Sequence, residues 1–174
     1  MLAAPLYQVS HAAQPAATEY ELKAVYLYNF LQFVTWPGTG DPVSKDGVKV
    51  IGVVGESPFG RALEELQSNV RNERMSPVRV VFYGPYREGL NLSSCHLLFV
   101  TSSEKKHFSK IVSSLKGTSV LTVADTESFL SSGGMVTLVS SQGKIRWMIN
   151  RTPAERAGLR FRAQMLSIAL KVLE

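Results

Sequence analysis

Val48-Lys49-Val50-Ile51-Gly52-Val53-Val54 is a short apolar run that ends in Gly55-Glu56-Ser57-Pro58 and then gives way to a helical pattern. So short a run, apolar but for Lys49 near its start, reads as a buried strand. Ser57 is placed to cap the helix that follows, with Pro58 at its first position. Phe59, Leu63, Leu66 and Val70 recur at helical spacing and mark the buried stripe. A buried strand feeding an amphipathic helix is the repeating unit of an α/β sheet.

Toward the C-terminus the unit recurs. Val78 to Phe82 is a second strand, closed by Gly84-Pro85, and His96 to Val100 is a third. Thr101 and Glu104 have the spacing of a capping box, and the helix they open is expected to bury Phe108, Ile111, Val112 and Leu115. Ser119 to Val123 reads as a fourth strand, with Asp125 capping a short helix that Gly133-Gly134 ends. Met135 to Val139 and Lys144 to Asn150 form a hairpin across Ser141-Gln142-Gly143. Ile145, Trp147 and Ile149 alternate there with Lys144, Arg146 and Asn150, so one face is wet. Thr152-Pro153-Ala154-Glu155 combines a capping box with an early proline, and one terminal helix is expected to bury Leu159, Ala163, Leu166 and Leu170.

Toward the N-terminus, a helix begins at Glu19, where Glu19 and Glu21 suit its dipole. Leu22, Val25, Tyr26, Asn29, Phe30 and Phe33 line one face, while Leu27 and Leu31 make the other apolar too. Such a helix is sandwiched in the core or covered by a second subunit. Trp36-Pro37-Gly38 stops it, and Thr39 to Gly47 reads as a polar loop.

Residues 1–18 are rich in Ala, Pro, Gln and Ser and carry no Lys or Arg. They are expected to be a flexible lead-in or the remnant of an export signal, whose basic start and apolar core are missing. Residues 19–174 make one domain. The expected fold class is α/β: a single Rossmann-like domain with a mixed, mostly parallel sheet, helices on both faces and a late antiparallel hairpin.

Composition narrows the function. Of 174 residues, 45% are hydrophobic and 19% charged, which fits a globular domain and excludes disorder or a membrane bundle. The formal charge of +5 is spread along the chain and forms no nucleic-acid arm. No apolar segment reaches the ~18–20 residues of a membrane span, so the ordered part is expected to be soluble. The single cysteine, Cys95, rules out an intrachain disulfide. At the start of a strand it reads as a buried thiol, with intermolecular pairing or redox sensing as the alternative.

Chemistry is sparse. His11, His96 and His107 show no metal-ligand spacing, and Ser57 lies outside any nucleophile-elbow pattern because proline follows it. Gly52, Gly55 and Gly60 match neither the dinucleotide fingerprint nor a P-loop. No catalytic residues, metal or cofactor are expected. What remains is a rim at the carboxyl ends of the strands, where ligands of parallel sheets bind. Gly55, Ser57, Ser102, Ser103 and Asp125 are the candidate ligand-binding residues there, for a small polar or anionic ligand; ordinary capping is the competing reading.

The motifs resemble a known family. Tyr20-Glu21-Leu22-Lys23-Ala24-Val25-Tyr26-Leu27-Tyr28-Asn29-Phe30 and Phe33-Val34-Thr35-Trp36-Pro37 look like the opening of YfiR-like proteins. Gly55 to Gly60 before Ala62-Leu63, Cys95 to Phe99, Leu121 to Asp125 with Phe129, Gly133-Gly134-Met135, Ile149-Asn150 and Ala157-Gly158-Leu159 continue the order. The resemblance covers about residues 19–172. It implies an exported periplasmic protein, commonly dimeric, that restrains a membrane-anchored diguanylate cyclase by binding its periplasmic portion. Cyclic di-GMP and biofilm formation fall in consequence. Two departures stand out: Cys95 has no partner for the disulfides of some relatives, and Arg160-Phe161-Arg162-Ala163 replaces their small hydroxyl residues.

The residues agree with an interface protein. Arg156 and Arg160, one turn apart on the expected terminal helix, together with Trp147 and Phe161, are the candidate partner-binding residues. For the two aromatics, core packing competes with an anchor role. The competing function is a small-ligand sensor coupled to a transporter or kinase.

Overall fold

The computed structural model describes residues 18–37, 47–73 and 75–174. The readings for residues 1–17, including His11, and for most of the loop at 39–47 lie outside the described residues. Helix α1 (Glu19–Phe33) runs straight into strand β1 (Val34–Thr35). Then come β2 (Lys49–Val54), α2 (Ala62–Asn72), β3 (Val78–Gly84), β4 (Leu97–Val100), a 3-10 turn (Ser102–His107) and α3 (Phe108–Ser114). They are followed by β5 (Leu121–Ala124), α4 (Ser128–Ser131), β6 (Val136–Ser141) and β7 (Lys144–Asn150). The last elements are α5 (Arg151–Arg156), β8 (Arg160–Phe161), α6 (Ala163–Ser167) and β9 (Lys171–Leu173).

Seven strands form one sheet in the order β3-β2-β4-β5-β6-β7-β9. The first five run parallel, β6 and β7 form the antiparallel hairpin, and β9 returns parallel to β7. From β2 the chain steps outward to β3, then back across to β4 and β5. Right-handed crossovers in opposite directions must lie on opposite faces. Accordingly α1 and α2 cover one face, over Ile51, Val53, Leu97, Phe99, Leu121 and Val123. On the other face Phe108, Ile111, Leu115 and Phe129, from α3 and α4, cover Val50, Val54, Leu98, Val100 and Ala124. The strands are apolar on both faces because both are covered, and each large side chain so buried contributes about 1.5–3 kcal/mol. The expected fold class is the one observed. Among the described residues no helix is long and apolar enough to cross a membrane.

Local readings changed in several places. A capping box between Thr18 and Glu21 fixes the start of α1. Its core face carries Ala24, Leu27, Tyr28, Phe30 and Leu31, so the expected face is largely turned outward: Leu22 is 42% exposed and Val25 46%. Ser57 does not cap α2, which starts at Ala62 after a turn; Ser57 Oγ instead accepts the Phe59 N–H. Thr101 and Glu104 form no capping box, since both side chains bond elsewhere. Asp125 caps no helix, because α4 starts beyond it and Asp125 is taken by α1.

The expected terminal helix is broken. α5 ends at Arg156, and Gly158, at φ +76°, turns the chain into β8. A Cβ on Gly158 would sit 3.3 Å from Pro37 Cγ, so the close approach of the two segments favours glycine. Leu159 is buried, whereas Ala163 and Leu170 are exposed. Arg156 and Arg160 therefore lie on different elements. Thr152 and Glu155 form no capping box either; Glu155 pairs with Arg151.

Candidate functional site

The strand order reverses between β2 and β4, and ligands of parallel sheets favour the crevice at such a switch. Here that crevice is filled. Gly55, at φ +99°, lies under Thr101 and Ser103, whose hydroxyls bond each other at 2.8 Å. Ser103 Oγ also accepts the Glu56 N–H at 3.0 Å, tying the two strand ends together. Gly55 and Ser103 are thus brought together, with Ser57 and Ser102 exposed on the rim. Buried Glu104 accepts the Tyr86 N–H at 3.2 Å and pairs with His107 Nδ1 at 2.8 Å.

Asp125 stands at the carboxyl end of β5, on the same edge of the parallel sheet. Its Oδ2 accepts the Tyr20 hydroxyl at 2.9 Å and the Lys23 ammonium at 3.0 Å. Lys23 Nζ also meets Glu19 at 2.6 Å and lies 4.4 Å from the centre of the Tyr20 ring. Burial alone would lower the Lys23 pKa, but the bonds to Glu19 and Asp125 outweigh it and raise it above the ordinary lysine value. Burial, then the bond to Asp125, pushes the Tyr20 hydroxyl up, and the bond to Lys23 holds Glu19 below the usual carboxylate range. This cluster fastens the first turn of α1 to the sheet. Sequence reasoning missed it. The signal was there: Lys23 is the one charge between Glu21 and Trp36.

Cys95 is buried as expected. Its Sγ bonds the Leu92 carbonyl at 3.2 Å, and burial pushes the thiol up to about 12. His96 serves the sheet itself, because its Nδ1 accepts the Val50 N–H at 3.0 Å and so extends the pairing of β2 with β4.

The opposite end of the sheet is more open. β1 pairs antiparallel with β8, Val34 opposite Phe161 and Thr35 opposite Arg160. Trp36 is fixed beside them by its Nε1 bond to the Ser119 carbonyl at 2.8 Å, with the Lys49 ammonium 4.7 Å from its ring centre. A cleft of about 910 Å³ opens here, lined among others by Trp36, Pro37, Arg151, Glu155, Arg160 and Phe161. Arg151 bridges Glu155 and Glu174 at 2.9 Å each, while exposed Arg160 makes no ion pair among the described residues. A free guanidinium between aromatic and apolar walls suits recognition of an acidic, apolar segment. Of the four partner candidates, Arg160 and Phe161 meet at this cleft. Arg156 is exposed on another side, and Trp147 is buried between Tyr26 and Phe30, its Nε1 bonded to the Met165 carbonyl at 3.0 Å. Among the described residues no group of His, Cys, Asp and Glu is placed to hold a metal ion.

The model of a family described as YfiR/HmsC-like matches residues 20–170. No curated protein matches the chain. Among solved structures, a conserved domain protein from Vibrio cholerae is similar at 13% identity and a TM-score of 0.59, over 89% of this chain and 60% of that one. An ABC domain from Streptococcus pneumonia, solved in complex with L-Trp, is similar at 15% identity and a TM-score of 0.52, over 75% of this chain and 57% of that one. This chain therefore spans about three fifths of each, and the likeness shows the α/β fold alone.

Proposed function

This chain belongs to the YfiR/HmsC-like family, and from that premise we propose that it is a non-enzymatic periplasmic regulator. It binds the periplasmic portion of an inner-membrane diguanylate cyclase and represses it, lowering cyclic di-GMP and biofilm formation. The family match over residues 20–170 carries the reading. The cleft beside β8 supports it physically, since there Arg160, a cation with no ion pair among the described residues, and Phe161 stand side by side on the β1–β8 ribbon.

The test is a titration of the purified protein with the periplasmic domain of the cyclase encoded beside it. Saturable binding at micromolar Kd or tighter (about −8 kcal/mol) is expected, and Arg160→Glu should weaken it while leaving the thermal midpoint unchanged. A deletion strain should show raised cyclic di-GMP. No binding between two folded proteins, or unchanged cyclic di-GMP, would sink the proposal.

The family resemblance also implies a homodimer, and the outward face of α1, with Leu22 and Val25, is its proposed seat. A second reading, a small-ligand sensor at Gly55, Ser57, Ser102, Ser103 and Asp125, is favoured by the exposed hydroxyls of Ser57 and Ser102. A ligand-induced thermal shift abolished by Ser57→Ala or Ser102→Ala would establish it.

A further inference from the structure

A second cleft enters the sheet from the face covered by α3 and α4. The ladder between β5 and β6 joins only Val123 to Val136 and Ala124 to Thr137. Thr122 lies beyond that ladder, and its Oγ1 takes the Met135 N–H at 3.2 Å in place of a backbone carbonyl. Where the strands part, a cleft of about 610 Å³ opens, within the roughly 300–1,000 Å³ of small-molecule sites. Buried Leu115, Thr122 and Met135 line it, Ser113 stands on one wall, and exposed Lys116 and Arg156 flank it.

The charged groups that line the cleft, Lys116 and Arg156, have one sign. Thr122 accepts a hydrogen bond but donates its own proton to no described group, so a buried donor is left at the cleft. Lys116 and Arg156 make no ion pair among the described residues. Donors and cations around buried aliphatic side chains select a ligand that is anionic at one end and apolar at the other.

We propose that this cleft binds a small monocarboxylate with a compact apolar body, which the carboxylate end anchors to Lys116, Arg156 and Thr122. The site is separate from the β8 cleft, and the proposal does not rest on the cyclase reading.

The probe is benzoate, titrated into uniformly 15N-labelled protein. Saturable amide shifts are expected at Thr118, Ser132 and Met135, with a Kd of about 1 mM or tighter. Acetate, which lacks the apolar body, and benzamide, which lacks the charge, should each bind about tenfold more weakly. Lys116→Gln and Arg156→Gln should each weaken benzoate about three- to tenfold without moving the thermal midpoint. Ser113→Phe, on the exposed wall, should block binding. Non-saturating shifts, shifts centred elsewhere, equal binding of benzamide, or variants that bind like the parent would each overturn the proposal.

Discussion

Replacing Asp125 with Leu and Lys23 with Met together should destabilise the protein little more than either replacement alone. The Lys23 side chain is 4% exposed and that of Asp125 7%, with 3.0 Å between ammonium and carboxylate. Removing one member of a buried pair costs about 3–5 kcal/mol, because the other charge stays buried without its counterion. Glu19 softens the loss: it remains 2.6 Å from Lys23, but its side chain is 50% exposed and holds the charge less firmly. The low end, about 3 kcal/mol, is therefore expected for Asp125→Leu, and a similar loss for Lys23→Met. At about 2–4 °C per kcal/mol for a chain this size, the midpoint falls by roughly 6–12 °C in each single variant. The double variant puts apolar groups in both places and should recover most of one loss. Its coupling energy is expected at about 2–3 kcal/mol. Urea unfolding of the four proteins at pH 7 measures the cycle. Single losses that simply add, within about 0.5 kcal/mol, would show that the pair is not coupled and that α1 is held by its apolar face alone.

Stability should also fall in alkali. Above about pH 9 an unfolded Cys95 gives up its proton while the native thiol, pushed up to about 12, keeps it, so stability is lost between those values at up to ~1.4 kcal/mol per pH unit. The loss reaches about 4 kcal/mol, and Cys95→Ala should flatten that limb in urea melts taken from pH 8 to 12; an unchanged slope refutes it. Raised Lys23 acts in the same direction, its contribution present below the ordinary lysine pKa and lost as pH rises through the native one. Gly55→Ala adds a Cβ that collides with Thr101 Oγ1 and Ser103 Oγ at φ +99°, and should cost about 2–4 kcal/mol in thermal or urea unfolding. Leu22→Glu with Val25→Glu should leave folding intact and convert a dimer to a monomer in light scattering; a parent that is already monomeric refutes the α1 interface.

The architecture was readable because its strands are. Val50 to Val54, Leu97 to Val100 and Leu121 to Ala124 are buried at every position, so their apolar runs needed no tertiary knowledge. The caps were misread for one shared reason. Ser57, Thr101 and Asp125 stand at junctions before helices, where spacing shows that a cap is available, while Thr152 lies inside α5, one residue past its start. Spacing does not show which acceptor or donor wins. Asp125 is won by Lys23, 102 positions away, and Thr101 by its neighbour Ser103 on the same turn. Of the nine candidate site residues, the chain brings Gly55 to Ser103 and Arg160 to Phe161, while Trp147 is taken into the core.

The faces that matter most are where local rules break. On α1 the only lysine of an apolar stretch points inward, and two aliphatics one turn apart point out. Propensity and periodicity would choose the reverse, because burying an ammonium is costly and exposing Leu22 and Val25 forgoes burial. Asp125 removes the first objection by supplying the counterion. The second persists in an isolated subunit and disappears when another surface covers α1, which is the physical case for an interface there. The C-terminal segment repeats the logic. A continuous helix would have kept Arg156 and Arg160 on one stripe. The break at Gly158 instead sets Arg160 and Phe161 on a ribbon beside Trp36 and leaves Arg156 at the cleft between β5 and β6. The break thereby places a cation at each of two separate clefts, so under the two proposals charge reversal at Arg160 should impair cyclase binding and neutralisation at Arg156 carboxylate binding, each without the other.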